Sequence, residues 1–198
     1  LLAVEAFLEH RHDHASVAEG SRRESEEGVA SGEDVVDAAR KQAPLTEGGG
    51  MVFAASEDQY LWAFDADRGD VRWRYFTESK LDTQPTYVVV RTPEGKAGRV
   101  LQWVDSEGLV CLDADPQNTV EGQVLWTIPG AEGRAIGVIG ERVAMWDETT
   151  RILRMIDPVQ GVVVSTMDLP QVSSLTMDGD VIYATGEKGR IVRLDPIG

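Results

Sequence analysis

Tyr60-Leu61-Trp62-Ala63-Phe64-Asp65, followed by Ala66-Asp67-Arg68-Gly69-Asp70 and then Val71-Arg72-Trp73, is the stretch whose reading decides the fold. A short apolar run closes on an aspartate, a polar turn containing glycine follows, and a second run reaches a tryptophan. Five apolar or aromatic residues between turn signals match a strand in length and are too few for a helix. Upstream, Val52-Phe53-Ala54-Ala55-Ser56 and the break Glu57-Asp58-Gln59 supply the preceding strand and its hairpin turn.

The same phrase returns three times. A second copy runs Leu101 to Asp105, a break at Ser106-Glu107-Gly108, then Leu109-Val110-Cys111-Leu112-Asp113, an insertion, and Gly122 to Trp126. A third runs Val143 to Trp146 and Ile152 to Asp157, then Pro158 to Gly161 and Val162-Val163-Val164, with Ser165 where tryptophan is expected. The fourth runs Val181 to Ala184, a break at Glu187-Lys188-Gly189, and Ile191 to Asp195. The repeat anchors are therefore Asp65, Asp113, Asp157 and Asp195, together with Trp73 and Trp126; successive aspartates are separated by 48, 44 and 38 residues. A period of about 40–50 residues holding several short strands and no helical pattern marks a propeller blade. Each aspartate is expected to accept backbone N–H groups of the turn that follows, and each tryptophan to pack onto the next blade. An innermost strand should precede each copy. Pro85 to Val90, Ala135 to Ile139 and Val172 to Met177 fit that place, and Pro44 to Thr46 is a weaker match.

Residues 1–47 read differently and form a separate N-terminal segment, with 48–198 as the blades. The segment holds one aromatic, Phe7, with short helices expected over Leu1 to Leu8 and Glu33 to Lys41 and a charged linker between them. His10, His12 and His14 invite a metal reading. They are the chain's three histidines, with no second ligand cluster, so the expected state is a solvated polar segment without metal.

Among 198 residues, 34 acidic side chains against 19 basic ones leave a net charge of -15. Such a surface repels phosphate backbones and anionic lipid, so no nucleic-acid partner is expected. No run of about 20 apolar residues exists to cross a membrane as a helix, so membrane contact is expected only through an anchor upstream. The single cysteine, Cys111, lies in an apolar run and reads as a buried structural thiol. The alternating acids from Asp65 to Asp70 suggest calcium, but the twelfth position of an EF-hand loop falls on Phe76, so they are read as turn chemistry. The loop Asp113 to Asn118 is read as a variable surface loop. Ser173-Ser174 and Thr149-Thr150 have no partner base nearby in sequence, and the blades contain no histidine.

The phrase resembles the pyrroloquinoline-quinone (PQQ) type repeat: an apolar strand, a turn, a strand ending in Leu-Asp or Phe-Asp, a Gly turn, and Trp. The likeness covers about Met51 to Gly198. It implies an all-β propeller of about four blades with a short helical or irregular N-terminal segment. Quinoprotein dehydrogenases carry this repeat in longer, eight-bladed chains with a vicinal disulfide, a calcium held by Glu and Asn, and an aspartate base; one cysteine excludes that disulfide here. The chain is similar instead to the non-enzymatic, BamB-like branch. That likeness implies a cofactor-free scaffold binding other proteins, without catalytic residues, in a periplasmic or cell-envelope assembly; a cytoplasmic setting stays open. The other readings are a fragment of a quinoprotein dehydrogenase and an extracytoplasmic sensor or structural domain of a membrane-anchored protein. Four blades lie at the low end for a ring. A fragment, or an arc completed by self-association or another chain, is expected over a self-contained ring, since an open arc exposes strand edges.

Overall fold

A computed structural model of the chain describes residues 45–186 and 189–194. The helices expected before Pro44, the histidines at 10, 12 and 14, and Asp195 lie outside the described residues.

Each copy of the phrase becomes a meander of antiparallel strands. Blade 1 comprises β1 (Leu45–Gly48), β2 (Met51–Ala55), β3 (Tyr60–Asp65) and β4 (Val71–Phe76). Blade 2 comprises β5 (Thr86–Thr92), β6 (Gly95–Val104), β7 (Gly108–Asp113) and β8 (Val124–Ile128). Blade 3 comprises β9 (Arg134–Ile139), β10 (Arg142–Asp147), β11 (Ile152–Asp157) and β12 (Val162–Asp168). Blade 4 has β13 (Val172–Asp178), β14 (Val181–Gly186) and β15 (Ile191–Leu194). The expected innermost strands are therefore present as β5, β9 and β13, and the weaker candidate is β1, whose range begins the first blade at Leu45.

Alternation dictates how the blades stack. Side chains on a strand point to opposite faces, so each sheet offers one apolar face to the blade before it and one to the blade after. Phe53, Leu61 and Trp73 of blade 1 share a core with Val100, Val110 and Leu112 of blade 2. Val88, Leu101 and Leu109 of blade 2 meet Val143, Met145 and Ile156 of blade 3. Trp146, Leu153 and Met155 of blade 3 meet Leu175, Ile182 and Ala184 of blade 4. The first strands lie beside one another in chain order, β1 against β5, β5 against β9 and β9 against β13. Among the described residues, β13 makes no comparable contact with β1, so the four sheets form an arc.

Register explains the tryptophans. Ala63 stands opposite Trp73, Cys111 opposite Trp126, and Met155 opposite Ser165. A small residue on the third strand faces an indole on the fourth in blades 1 and 2, and in blade 3 a long Met faces a short Ser. The pair fills similar space either way, as close-packed interiors require. Each ladder bulges directly after this pair, between Ala63 and Phe64, Cys111 and Leu112, and Met155 and Ile156. A bulge at a fixed repeat position increases the local twist that a propeller blade needs.

Candidate interaction surface

The turn aspartates come first, because they shape one end of the arc. Asp65 Oδ1 accepts the backbone N–H groups of Asp67 (3.1 Å) and Arg68 (3.0 Å). Asp157 Oδ1 accepts those of Val159 and Gln160, both at 2.9 Å. Asp113 Oδ1 accepts the N–H of Asp115 at 3.2 Å and stands 3.5 Å from Arg99 Nη1. These carboxylates are occupied by the turns they start, as short polar side chains at such positions commonly are.

The opposite end of the blades carries a more deeply buried acid. Asp147, 2% exposed, accepts the N–H groups of Thr149 and Thr150 at 3.0 Å each, and the Thr150 hydroxyl donates to its other oxygen. Arg154 Nη1 approaches Asp147 Oδ2 at 3.6 Å. Burial alone would raise the Asp147 pKa, but the hydrogen bonds from Thr150 and Thr149 and the Arg154 guanidinium outweigh it and hold the carboxyl below its usual range. Thr149-Thr150 is thus a capping pair. The Tyr75 phenol is raised by burial and by its 2.7 Å hydrogen bond to Glu107.

The tryptophans tie blades together. Trp73 Nε1 donates to the Ala114 carbonyl of blade 2 at 2.9 Å, and Trp126 Nε1 to the Pro158 carbonyl of blade 3 at 3.0 Å. Gly161, at φ +68°, lies so close that a Cβ there would sit 2.4 Å from Trp126 Cγ. The blade 2 insertion, read from sequence as a variable surface loop, closes the outer edge of blade 1. Arg74 N–H donates to the Val120 carbonyl (3.1 Å), Gly122 N–H donates to the Arg74 carbonyl (2.8 Å), and Glu121 forms a parallel bridge with Arg74. Arg72 adds a 3.2 Å ion pair to Asp115.

Two open clefts flank the β5–β6 hairpin. One, of about 400 Å³ between blades 1 and 2, is lined by Tyr87, Lys96, Arg99, Asp113 and Asp115, where opposite charges already answer one another. The other, of about 330 Å³ between blades 2 and 3, is lined by Val89, Arg91, Val138 and Pro158 among others. Among the described residues no group of three or more His, Cys, Asp or Glu side chains is placed to hold a metal. Exposed apolar side chains include Phe76 on β4, Val124 and Leu125 on β8, Val162, Val163 and Val164 on β12, and Ile191 and Val192 on β15, with Val89 on the inner strand β5. The sequence signal for part of this surface is the uncharged run from Val162 to Met167.

Meander blades stacked through apolar faces, with a bulged pair between third and fourth strands and an aspartate-started turn recurring in blades 1 to 3, define a β-propeller of the PQQ-repeat class. The chain belongs to the family described as outer membrane protein assembly factor BamB, whose model matches residues 27–135. No curated protein matches the sequence. Among solved structures it is similar to BamB from Moraxella catarrhalis, at 17% identity and a TM-score of 0.58, over 80% of this chain and 45% of that one. It is also similar to the computationally designed Ika4 protein, at 13% identity and a TM-score of 0.55, over 77% of this chain and 89% of that one. A third similar structure is the PilY1 C-terminal domain of Pseudomonas aeruginosa, at 17% identity and a TM-score of 0.53, over 72% of this chain and 37% of that domain. The chain spans about 45% of the length of the BamB structure it matches.

Proposed function

We propose that the chain is a non-enzymatic propeller scaffold that binds other proteins in a cell-envelope assembly serving outer-membrane proteins. The observation that carries this reading is the match of residues 27–135 to the family of outer membrane protein assembly factor BamB. Two features support it. The anchors Asp65, Asp113 and Asp157 spend their oxygens on backbone N–H groups of their own turns, and Trp73 and Trp126 on interblade contacts, which is architecture and not chemistry. The outer strands meanwhile present apolar side chains to solvent, a feature of protein-binding surfaces.

The test is to immobilise the full chain and challenge it with the solubilised envelope fraction of its host. Identification by mass spectrometry of outer-membrane barrels or the proteins that insert them is the expected result. Retention of none of these, or tight binding of pyrroloquinoline quinone or calcium by calorimetry, would overturn the reading.

A further inference from the structure

The aspartates that start the turns mark a common level in the blades, and beyond that level the inner hairpins differ. In blade 1, Met51 stands opposite Asp65 and the chain turns back at once through Gly49-Gly50. In blade 3, Val143 stands opposite Ile156, one residue before Asp157, and the turn comes at Gly140-Glu141. In blade 2, Arg99 stands opposite Asp113, yet the β5–β6 ladder runs on through four more pairs to Thr92 and Gly95. Four residues of strand add about 13 Å, so this hairpin stands clear of the rim formed by its neighbours. It lies between blades 1 and 3, and both stop short of it.

The extension carries charges that the rest of this chain would be expected to neutralise. Arg91 and Lys96 are directly opposed in the ladder, and both are exposed. Like charges so placed, with Cβ atoms about 5 Å apart, repel and weaken a hairpin. Neither has an ion-pair partner among the described residues, although the chain holds 34 acidic side chains against 19 basic ones. Nearby, Arg99 is matched by Asp113 and Arg72 by Asp115. On the same face of the hairpin, Val89 is 52% exposed and stands opposite Gly98, which has no side chain to cover it. The cleft of about 330 Å³ lined by Arg91 and Lys96 also has Val89, Val138, Pro158 and Val159 in its walls. Its acids are Glu141 and Asp157, and Asp157 Oδ1 already holds two backbone N–H groups. Glu94, in the hairpin turn, lines the cleft on the other side.

We propose that the projecting β5–β6 hairpin is a docking post for an acidic segment of a partner protein, whose carboxylates pair with Arg91 and Lys96 while an apolar side chain between them enters the cleft beside Val89, Val138 and Val159. Two unpaired cations next to an apolar wall match carboxylates next to an apolar side chain. A phosphate backbone has no such group to place against the valines. A second copy of this chain would bring its own charge of -15 against the acidic blades. A short extended segment avoids that repulsion. The reach of the hairpin exceeds the Debye length of about 8 Å at physiological ionic strength, so near its tip Arg91 and Lys96 outweigh the distant acids of the blades. This deepens the scaffold reading and rests on it for the identity of any natural partner.

The probe is a fluorescein-labelled pentapeptide, valine flanked on each side by two glutamates, titrated into the whole chain and followed by anisotropy. Saturable binding is expected, at least fivefold weaker for the Arg91→Gln, Lys96→Gln double variant and at least threefold weaker for Val89→Ser. Arg91→Lys should stay within twofold of wild type, as should Lys80→Gln in the linker before β5. A peptide with lysine in place of every glutamate should not bind. The double variant should melt at or above the wild-type temperature, because a like-charge pair has been removed; a clearly lower melt overturns the proposal, since the pair then serves the hairpin itself. Absence of binding to wild type, or unchanged affinity in the double variant or in Val89→Ser, overturns it as well. So does displacement of the probe by inorganic phosphate as effective as by unlabelled peptide, because the site then reads charge alone. A wild-type dimer by light scattering that becomes monomeric in the double variant overturns it too, the occupant then being a second copy. Envelope proteins retained equally by wild type and double variant would leave the scaffold reading standing while this hairpin is ruled out.

Discussion

Trp73 and Ala114 are 41 residues apart in sequence and 2.9 Å apart in space, joined by an indole N–H donated to a backbone carbonyl across the boundary of blades 1 and 2. The indole is 1% exposed and packs on Phe53 in the same core, with ring centroids 5.9 Å apart. A sequence anchor is thereby also the pin between two blades.

Replacing that indole separates packing from hydrogen bonding. Trp73→Ala is expected to cost about 3–5 kcal/mol, the range for emptying a buried aromatic site. Trp73→Phe keeps most of the packing but strands the Ala114 carbonyl, adding about 1 kcal/mol to the volume loss. Trp146 is equally buried, yet its indole N–H has no acceptor among the described residues. Denaturant unfolding should therefore show Trp146→Phe to be milder than Trp73→Phe.

Gly161 should resist even the smallest side chain. Its φ of +68° is left-handed, and a Cβ would meet the Trp126 ring at 2.4 Å. Gly161→Ala is expected to destabilise by about 2–4 kcal/mol, combining backbone strain with a clash that has no slack. A thermal melt compared with Gly179→Ala isolates the clash, because Gly179 shares a positive φ but has open space around it.

Acid should act through Asp147. Its folded pKa lies below the unfolded value, so the unfolded chain binds a proton first as pH falls. The stabilisation is complete above the unfolded carboxylate value of about 3.9 and is lost as pH drops through the lower folded value. Asp147→Asn should flatten the loss of stability below about pH 4 while lowering stability at pH 7, read from chemical melts across that range.

Cys111 should be silent toward thiol reagents in the native protein. Burial pushes its pKa up to about 12, outweighing the Arg99 guanidinium, which acts in the opposite direction. The nucleophile is the thiolate, and little forms at pH 8. Ellman's reagent should react only as fast as the chain opens, and at once in denaturant; rapid native labelling would contradict this burial.

Much of the fold could be read from local chemistry, because each repeat is written into a short window. Apolar runs ending at Asp65, Asp113 and Asp157 became third strands, and the runs before β2, β6, β10 and β14 became the first strand of each blade. What escaped depends on partners distant in sequence. Residues 115–123 carry no apolar alternation, so nothing local announces that Val120 and Gly122 pair with Arg74. Thr149-Thr150 escaped for a different reason: its partner Asp147 is only two and three residues away, but the burial of that carboxylate is set by the fold. The surface was hidden for a third reason. Val162 to Val164 on β12 and Val88 to Val90 on β5 are the same three letters, yet only Val88 and Val90 of the six are buried, and stacking between blades decides which.

The strap over β4 has a mechanical consequence. Among the described residues it is the one place where main chain bonds to main chain between blades; the junctions of blade 2 with 3 and 3 with 4 rely on side chains. Stacked modules that touch only their neighbours come apart at the weakest joint. Under load or heat, the arc should peel from its C-terminal side, leaving blades 1 and 2 as the last unit to yield and the natural starting point when the chain refolds.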